Sequence, residues 1–191
     1  MDTTADLLLV AVRVAQAIER CGLRYSVGGS LASTLQGEPR STLDVDVLVE
    51  LPADRVDALV QELGADFFVD HDSVARAVRQ RTSVNIFHQP TSIKVDLFVA
   101  GGSTLERAQL QRRARVRVSG GELFVHSPED ILLQKLWWYQ LGGEVSDRQW
   151  RDILGILKVQ QGRLDMAFLR TAAAEAGLSD LLDRALSEEQ R

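Results

Sequence analysis

The segment Leu43-Asp44-Val45-Asp46-Val47-Leu48-Val49 constrains the fold more than any other part of the chain. Its β-branched and aliphatic residues favour a strand, and on a strand successive side chains point to opposite faces. Leu43, Val45 and Val47 therefore share an apolar face, while Asp44 and Asp46 share the other, about 6–7 Å apart by the rise of two residues. Two carboxylates so placed repel one another unless water or a cation relieves them. The strand thus lies either at a solvated sheet edge or with one face in a core and the other in a polar site.

The surrounding pattern predicts alternating strands and helices. Leu8, Val12, Ala15 and Ile18 recur at helical spacing over residues 7–18, with Thr4 as N-cap and Gly22 as stop. Tyr25-Ser26-Val27 reads as a short strand, followed by Gly28-Gly29-Ser30 and a short helix over 31–36 capped by Ser30. After the acidic strand comes a helix over 54–63, then a strand at Phe67-Phe68-Val69 and a helix over 73–79. Strands over 83–88 and 92–99, joined by Gln89-Pro90-Thr91, read as antiparallel neighbours, as do 113–118 and 122–125 around Ser119-Gly120-Gly121. From Ser127 onward only helices are predicted: one opened by Ser127-Pro128-Glu129-Asp130, one by Ser146-Asp147-Arg148-Gln149, then 165–176 and 179–186. The fold class is α/β (α+β), a mixed sheet flanked by helices and followed by a helical C-terminal portion.

Composition excludes several classes. With 45% hydrophobic and 26% charged residues the chain lies far from disorder, and its net charge is −5. One cysteine, Cys21, supplies neither an internal disulfide nor a Cys-based zinc site, and no apolar run approaches the length of a membrane span. With acids at its N-terminus, the expectation is a cytoplasmic protein. The charge is uneven: residues 76–117 hold nine basic residues against two acids, a local balance of +7. That balance marks a solvated face or an anion-binding one.

Asp96, in Lys94-Val95-Asp96-Leu97-Phe98, is a third acid in an apolar strand and shares a face with Lys94 and Phe98 by alternation. Three inward acids would form a hard-oxygen site suited to one or two Mg²⁺. The Gly28-Gly29-Ser30 turn, 14 residues before Asp44, lets backbone approach a phosphate, offers helix N-terminal N–H groups and adds a hydroxyl. Turn and acids together describe triphosphate on one side and metal on the other.

These motifs, Val27-Gly28-Gly29-Ser30, Arg40-Ser41-Thr42-Leu43-Asp44-Val45-Asp46 and the later Asp96, resemble the nucleotidyltransferase superfamily of the DNA polymerase β type. The Arg-x-Thr before the paired acids, and Ser127-Pro128-Glu129-Asp130 leading to Lys135 and then Arg151-Asp152, are most similar to bacterial AbiEii-type toxins and antibiotic nucleotidyltransferases. The resemblance covers roughly residues 20–160. It implies a nucleotidyltransferase catalytic domain over 1–126 and a C-terminal helical region over 127–191 packing on it. It further implies transfer of NMP from an NTP co-substrate to a hydroxyl. Asp44, Asp46 and Asp96 would be catalytic and hold Mg²⁺. Gly28, Gly29, Ser30, Arg40, Thr42 and Lys135 would bind nucleotide. One departure is Gly155, where the toxins usually carry a second Asp three residues after the first.

The acceptor stays open between an RNA end, as for a toxin with an antitoxin partner, and a small molecule or protein. A catalytically silent nucleotide- or partner-binding module of the same fold is the alternative. Arg113, Arg115 and Arg117 line one strand face, as a solvated edge or a nucleic-acid track. Trp137 falls on the stripe of Leu133 and Leu136 and is expected in the core, with Trp138 less fixed. His71, His88 and His126, scattered singly, are expected to be structural or exposed.

Overall fold

The computed structural model describes residues 3–38 and 42–189. The chain divides into two compact units, one of residues 1–31 and 41–126 and the other of 32–40 and 127–191. The sequence alone assigns 32–40 to the first of these.

The first unit contains a mixed sheet of seven strands: β1 (Tyr25–Val27), β2 (Asp44–Val49), β3 (Phe67–Phe68), β4 (Ser83–His88), β5 (Ile93–Val99), β6 (Ala114–Val118) and β7 (Gly121–Val125). Their order is β3-β4-β5-β2-β1-β7-β6. The β2–β5 and β1–β7 pairs are parallel, and the others antiparallel. Both predicted hairpins form, β4–β5 and β6–β7.

Alternation along the strands divides the sheet into two faces. Val45, Val47 and Val49 of β2, Ile93, Val95, Leu97 and Val99 of β5, and Val84 and Ile86 of β4 are buried. Helix α1 (Thr3–Arg20) packs against β2, β5 and β7 and against α3 (Val56–Leu63), which follows a single 3₁₀ turn. Of the stripe read from the sequence, Val12, Ala15 and Ile18 are buried and Leu8 is half-buried, while Leu7, Val10 and Val14 complete the core-facing side of α1. Thr4 falls inside this helix rather than at its cap. Helix α2 (Gly29–Gln36) likewise starts earlier than expected, so Ser30 lies in its first turn, and α4 spans His71–Gln80 with Asp70 as cap.

A fifth helix, α5 (Thr104–Arg112), has no apolar periodicity to announce it, burying Gln109 and Leu110 alone. Its start is fixed by a capping box: Ser103 accepts from the Glu106 N–H, and the Glu106 carboxylate accepts from the N–H groups of Gly101 and Ser103. These bonds hold the Glu106 carboxyl below its usual range despite desolvation. Leu110 closes over Leu48 and Ala100, and so covers the end of the sheet face that also carries Asp44 and Asp46.

The second unit is built from α6 (Pro128–Leu141), α7 (Asp147–Val159), α8 (Met166–Glu175) and α9 (Ser179–Glu189). Ser127, Ser146 and Asp165 cap the first three, each accepting from the N–H three residues on. Trp137 departs from its expected place in the core: it is 43% exposed and Trp138 51%. Helix α6 buries the arc of Ile131, Leu132, Lys135, Leu136 and Tyr139, and Trp137 lies past its edge, edge-on to Trp138.

The Gly155 departure has a steric cause. A Cβ at Gly155 would stand 3.3 Å from both the backbone nitrogen and Cβ of Glu38, and one at Gly37 would stand 3.0 Å from Ile156 Cγ1. Helix α7 lies against residues 36–38, held by Gln160 Nε2 donating to the Gln36 carbonyl at 2.6 Å and by Lys158 on Glu38 at 2.7 Å. A Gly155→Asp substitution is therefore expected to destabilise the protein by about 2 kcal/mol, through overpacking and a carboxylate set against this contact, and thermal melting reads it.

Candidate active site

Asp44, Asp46 and Asp96 come together because β2 and β5 run parallel in register, with Asp46 opposite Asp96 and Asp44 opposite Lys94. All three acids are partly exposed, on the face that carries neither Val45 nor Val95. Thr42, buried at the strand's entry, donates its hydroxyl to Asp44 Oδ1 at 3.3 Å.

The Gly-Gly-Ser turn is bound to this strand pair. The Gly28 N–H donates to the Asp46 carbonyl at 2.9 Å, and the Ser30 N–H donates to the Asp46 carboxylate. Gly29 has φ +57°, and a Cβ placed on it would lie 1.8 Å from Asp46 Oδ2. Only glycine fits there, on grounds of both conformation and space. The start of α2, with its helix dipole, is thereby set directly beside the acids.

Burial raises the Asp46 carboxyl to about 6, with Asp44 and then Asp96 adding to the shift; Lys94 and the Ser30 N–H oppose it. Lys94 places its ammonium 2.7 Å from Asp96 Oδ2 and 3.9 Å from Asp44 Oδ2, and these acids raise its own pKa. Among the described residues no three His, Cys, Asp or Glu side chains are already drawn together as a metal cage. The Lys94 ammonium stands among these acids, and the sequence showed Lys94 only as a neighbour of Asp96 on the same face. As donors, three carboxylates on one face, one of them pushed toward protonation by burial and by the other two, fit a hard divalent cation once the flexible lysine moves aside.

Of the two expectations for His126, structural or exposed, the structure shows the first. His126 is buried at the end of β7, where the parallel β1–β7 pairing brings it under the turn, and its Nδ1 pairs with Ser26 Oγ at 2.7 Å. A Cβ on Gly28 would meet its Nε2 at 2.8 Å. Burial lowers its pKa to about 4, so the ring is neutral at physiological pH. A neutral buried histidine stabilises the fold fully above its unfolded value near 6.5, and that contribution is lost as pH falls toward about 4. His126→Gln is therefore expected to lessen the loss of stability between about pH 6.5 and 4, as read by denaturant melts at stepped pH.

Of the other positions expected to bind nucleotide, Arg40 lies outside the described residues. Lys135 belongs to the second unit, where it is buried and its ammonium is held by Asp152 at 2.7 Å, with Gln149 at 3.4 Å. Both side chains of that pair are less than 10% exposed. Lys135→Met would remove the ammonium 2.7 Å from the buried Asp152 carboxylate, with an expected loss of about 3 kcal/mol in unfolding free energy by denaturant titration.

Three phenylalanines extend the site face toward the sheet edge. Phe68 pairs across the sheet with Phe87, Phe87 with Lys94, and Phe98 follows Asp96 by two residues; all three are more than a third exposed. The arginine strand is tied to its own hairpin. Arg113 stacks 4.4 Å from the Phe124 ring centroid, Arg115 lies over the same ring and 3.4 Å from Glu122, and Arg117 lies 3.7 Å from Glu122.

No family model and no curated protein matches the chain. Solved structures do. ANT(2")-Ia in complex with adenylyl-2"-tobramycin is 15% identical, covering 91% of this chain and 98% of its own, with a TM-score of 0.59. An antigenic nucleotidyltransferase-like protein from Paracoccidioides brasiliensis is 21% identical over 94% and 92%, with a TM-score of 0.55. The lincosamide antibiotic adenylyltransferase LnuA in its lincomycin-bound form is 12% identical over 78% and 96%, with a TM-score of 0.51. At these identities the likeness is one of fold: the chain has the mixed α/β architecture of nucleotidyltransferases.

Proposed function

We propose that this chain is a nucleotidyltransferase that moves NMP from an NTP to a hydroxyl of a small molecule. The observation that carries the reading is the register of β2 and β5, which sets Asp46 opposite Asp96 under a turn where only glycine fits. Shared fold adds weight, since ANT(2")-Ia and LnuA are, by name, an antibiotic-resistance factor and an antibiotic adenylyltransferase. Fold alone would not supply the activity, which rests on the site.

In this reading the start of α2, with the backbone at Gly29 and the Ser30 hydroxyl, faces the β- and γ-phosphates. Asp44 and Asp46 hold Mg²⁺, with Asp96 as the third ligand. When bound, the metal stabilises charge on the attacking and leaving oxygens of an in-line displacement. Thr42 orients the Asp44 carboxylate by donating to it. Asp96, on the β4 side of the paired acids, receives or orients the proton of the acceptor hydroxyl. Phe87 and Phe98 beside it offer apolar surface to an acceptor ring. Lys135 serves the helical unit as an ion pair.

Support for a small-molecule acceptor over an RNA end comes from ANT(2")-Ia and LnuA, solved with adenylyl-2"-tobramycin and with lincomycin, while Arg115 and Arg117, 63% and 87% exposed beside Glu122, stay open to phosphate and make the RNA arm of the test necessary. The test is pyrophosphate release from each NTP with Mg²⁺ and a panel of hydroxylated antibiotics, alongside RNA 3′ ends. Expected is release with a small hydroxylated acceptor, with weak dependence on salt. RNA-dependent release that falls steeply with salt would favour the toxin-like reading and an antitoxin partner. Nucleotide binding with no release for any acceptor would leave the silent module. Among the described residues no helix is long and apolar enough to cross a membrane.

A further inference from the structure

Lys94 is the cation that the chain itself carries into the carboxylate cluster. It precedes Asp96 by two residues on β5 and therefore shares its face, and the β2–β5 register puts it opposite Asp44. Its Nζ lies 2.7 Å from Asp96 Oδ2 and 3.9 Å from Asp44 Oδ2, and its field also reaches Asp46. Phe87 flanks it on β4. The side chain is 37% exposed, on an unbranched stem with four rotatable bonds, so it can swing into solvent without disturbing the sheet.

An ammonium and a divalent cation compete for the same oxygens. The lone pair of Asp96 Oδ2 that accepts the lysine N–H is a lone pair a metal would use, and a cation entering beside Asp44 meets a like charge. Resting on the transferase reading, we propose that Lys94 is the resident counter-ion of the site: it holds Asp44 and Asp96 together before metal binds, and releases Asp96 when a divalent cation enters. Two opposite consequences follow from one group. Without Lys94 the metal-free protein is less stable, because the acids repel. Without Lys94 a divalent cation binds more tightly, because nothing has to be displaced. A lysine whose stem braced the sheet while its ammonium lay away from the metal-binding oxygens would give the first effect and not the second.

The experiment titrates Mn²⁺ into the full chain without nucleotide at about pH 8, where the carboxylates are ionised, counting free Mn²⁺ by electron paramagnetic resonance. Wild type, Lys94→Met and Lys94→Arg are compared, with thermal melts in EDTA and in Mn²⁺. Lys94→Met is expected to bind Mn²⁺ about tenfold more tightly than wild type, as fits removal of a like charge a few ångström away. It is also expected to melt lower than wild type in EDTA and to gain more from Mn²⁺. Lys94→Arg, which keeps the charge, is expected to stay within about threefold of wild type. If Lys94→Met does not fold in EDTA, Lys94→Gln gives the same measurement with an uncharged group that still donates to Asp96. Equal or weaker Mn²⁺ binding by the folded neutral variant overturns the inference and leaves the transferase reading standing. Mn²⁺ binding by no variant also overturns the inference, while pyrophosphate release by wild type with NTP and acceptor tests the transferase reading separately.

Discussion

Replacing Asp46 by Asn is expected to abolish nucleotidyl transfer while making the protein more stable at neutral pH. The loss of activity should be about a thousandfold or more, because Asp46 is central to the acid cluster and the variant removes charge where the displacement develops it. The gain in stability comes from the carboxyl that burial, Asp44 and Asp96 raise from 3.8 to about 6. A group whose native pKa lies above its unfolded value binds more protons in the native state between those values. Stability falls as pH rises from about 4 to about 6 and stays reduced above that window. Asn carries no charge, keeps an oxygen for the Ser30 N–H and is spared this cost, of the order of 2 kcal/mol above pH 6 after allowance for solvent screening. Denaturant titration near pH 7.5, together with pyrophosphate release, reads both. An Asp46→Asn variant that stays fully active would remove Asp46 from the chemistry. One that unfolds would make it structural.

His126 acts in the opposite direction over much of the same range. Its depressed pKa makes stability rise between about 4 and 6.5, where Asp46 makes it fall. In wild type the two slopes oppose, so Asp46→Asn should steepen the rise of stability with pH rather than flatten it. This difference between variant and wild type isolates Asp46 from the other carboxylates, which both proteins share.

The elements with local signals were legible in the sequence. Ser127-Pro128 and Ser146 announced α6 and α7, Gln89-Pro90-Thr91 announced the β4–β5 hairpin, and alternation put Asp44 and Asp46 on one face. What depends on pairing between distant segments was not. Alternation shows that Lys94 shares a face with Asp96, but its place across from Asp44 needs the register of two strands some fifty residues apart. His126 looks like any isolated histidine until β1 and β7 pair and bring it under Gly28. Helix α5 was missed because its polar sequence lacks periodicity, although Ser103 and Glu106 at capping-box spacing were there to be read. Trp137 misled because the buried arc of α6 is centred on Leu132, Leu136 and Tyr139, and Trp137 lies just past its edge although it continues the stripe of Leu133 and Leu136 in sequence.

Gly29 provides the sharpest test of whether turn and acids form one site. Changing it to Ala adds a methyl whose carbon would stand 1.8 Å from Asp46 Oδ2, at a backbone φ of +57°. Left-handed backbone costs an alanine about 1–2 kcal/mol, and relieving the clash costs about 1–3 more, so the expected loss of stability is about 3–5 kcal/mol if the turn keeps its shape. The clashing atom belongs to the carboxylate that the Ser30 N–H holds, so relief requires either Asp46 to rotate off that bond or α2 to withdraw from β2. Each route separates the helix start from the acids. The variant should therefore lose both NTP-induced thermal stabilisation and transfer, with a fall in kcat/KM of about a hundredfold or more. Gly29→Ala combined with Asp46→Gly, which removes the clashing side chain, should recover much of the stability and none of the activity. Recovery of stability would show that the added methyl acts through the Asp46 side chain, so that turn and acid share one space; no recovery would put the loss in the left-handed backbone of the turn itself.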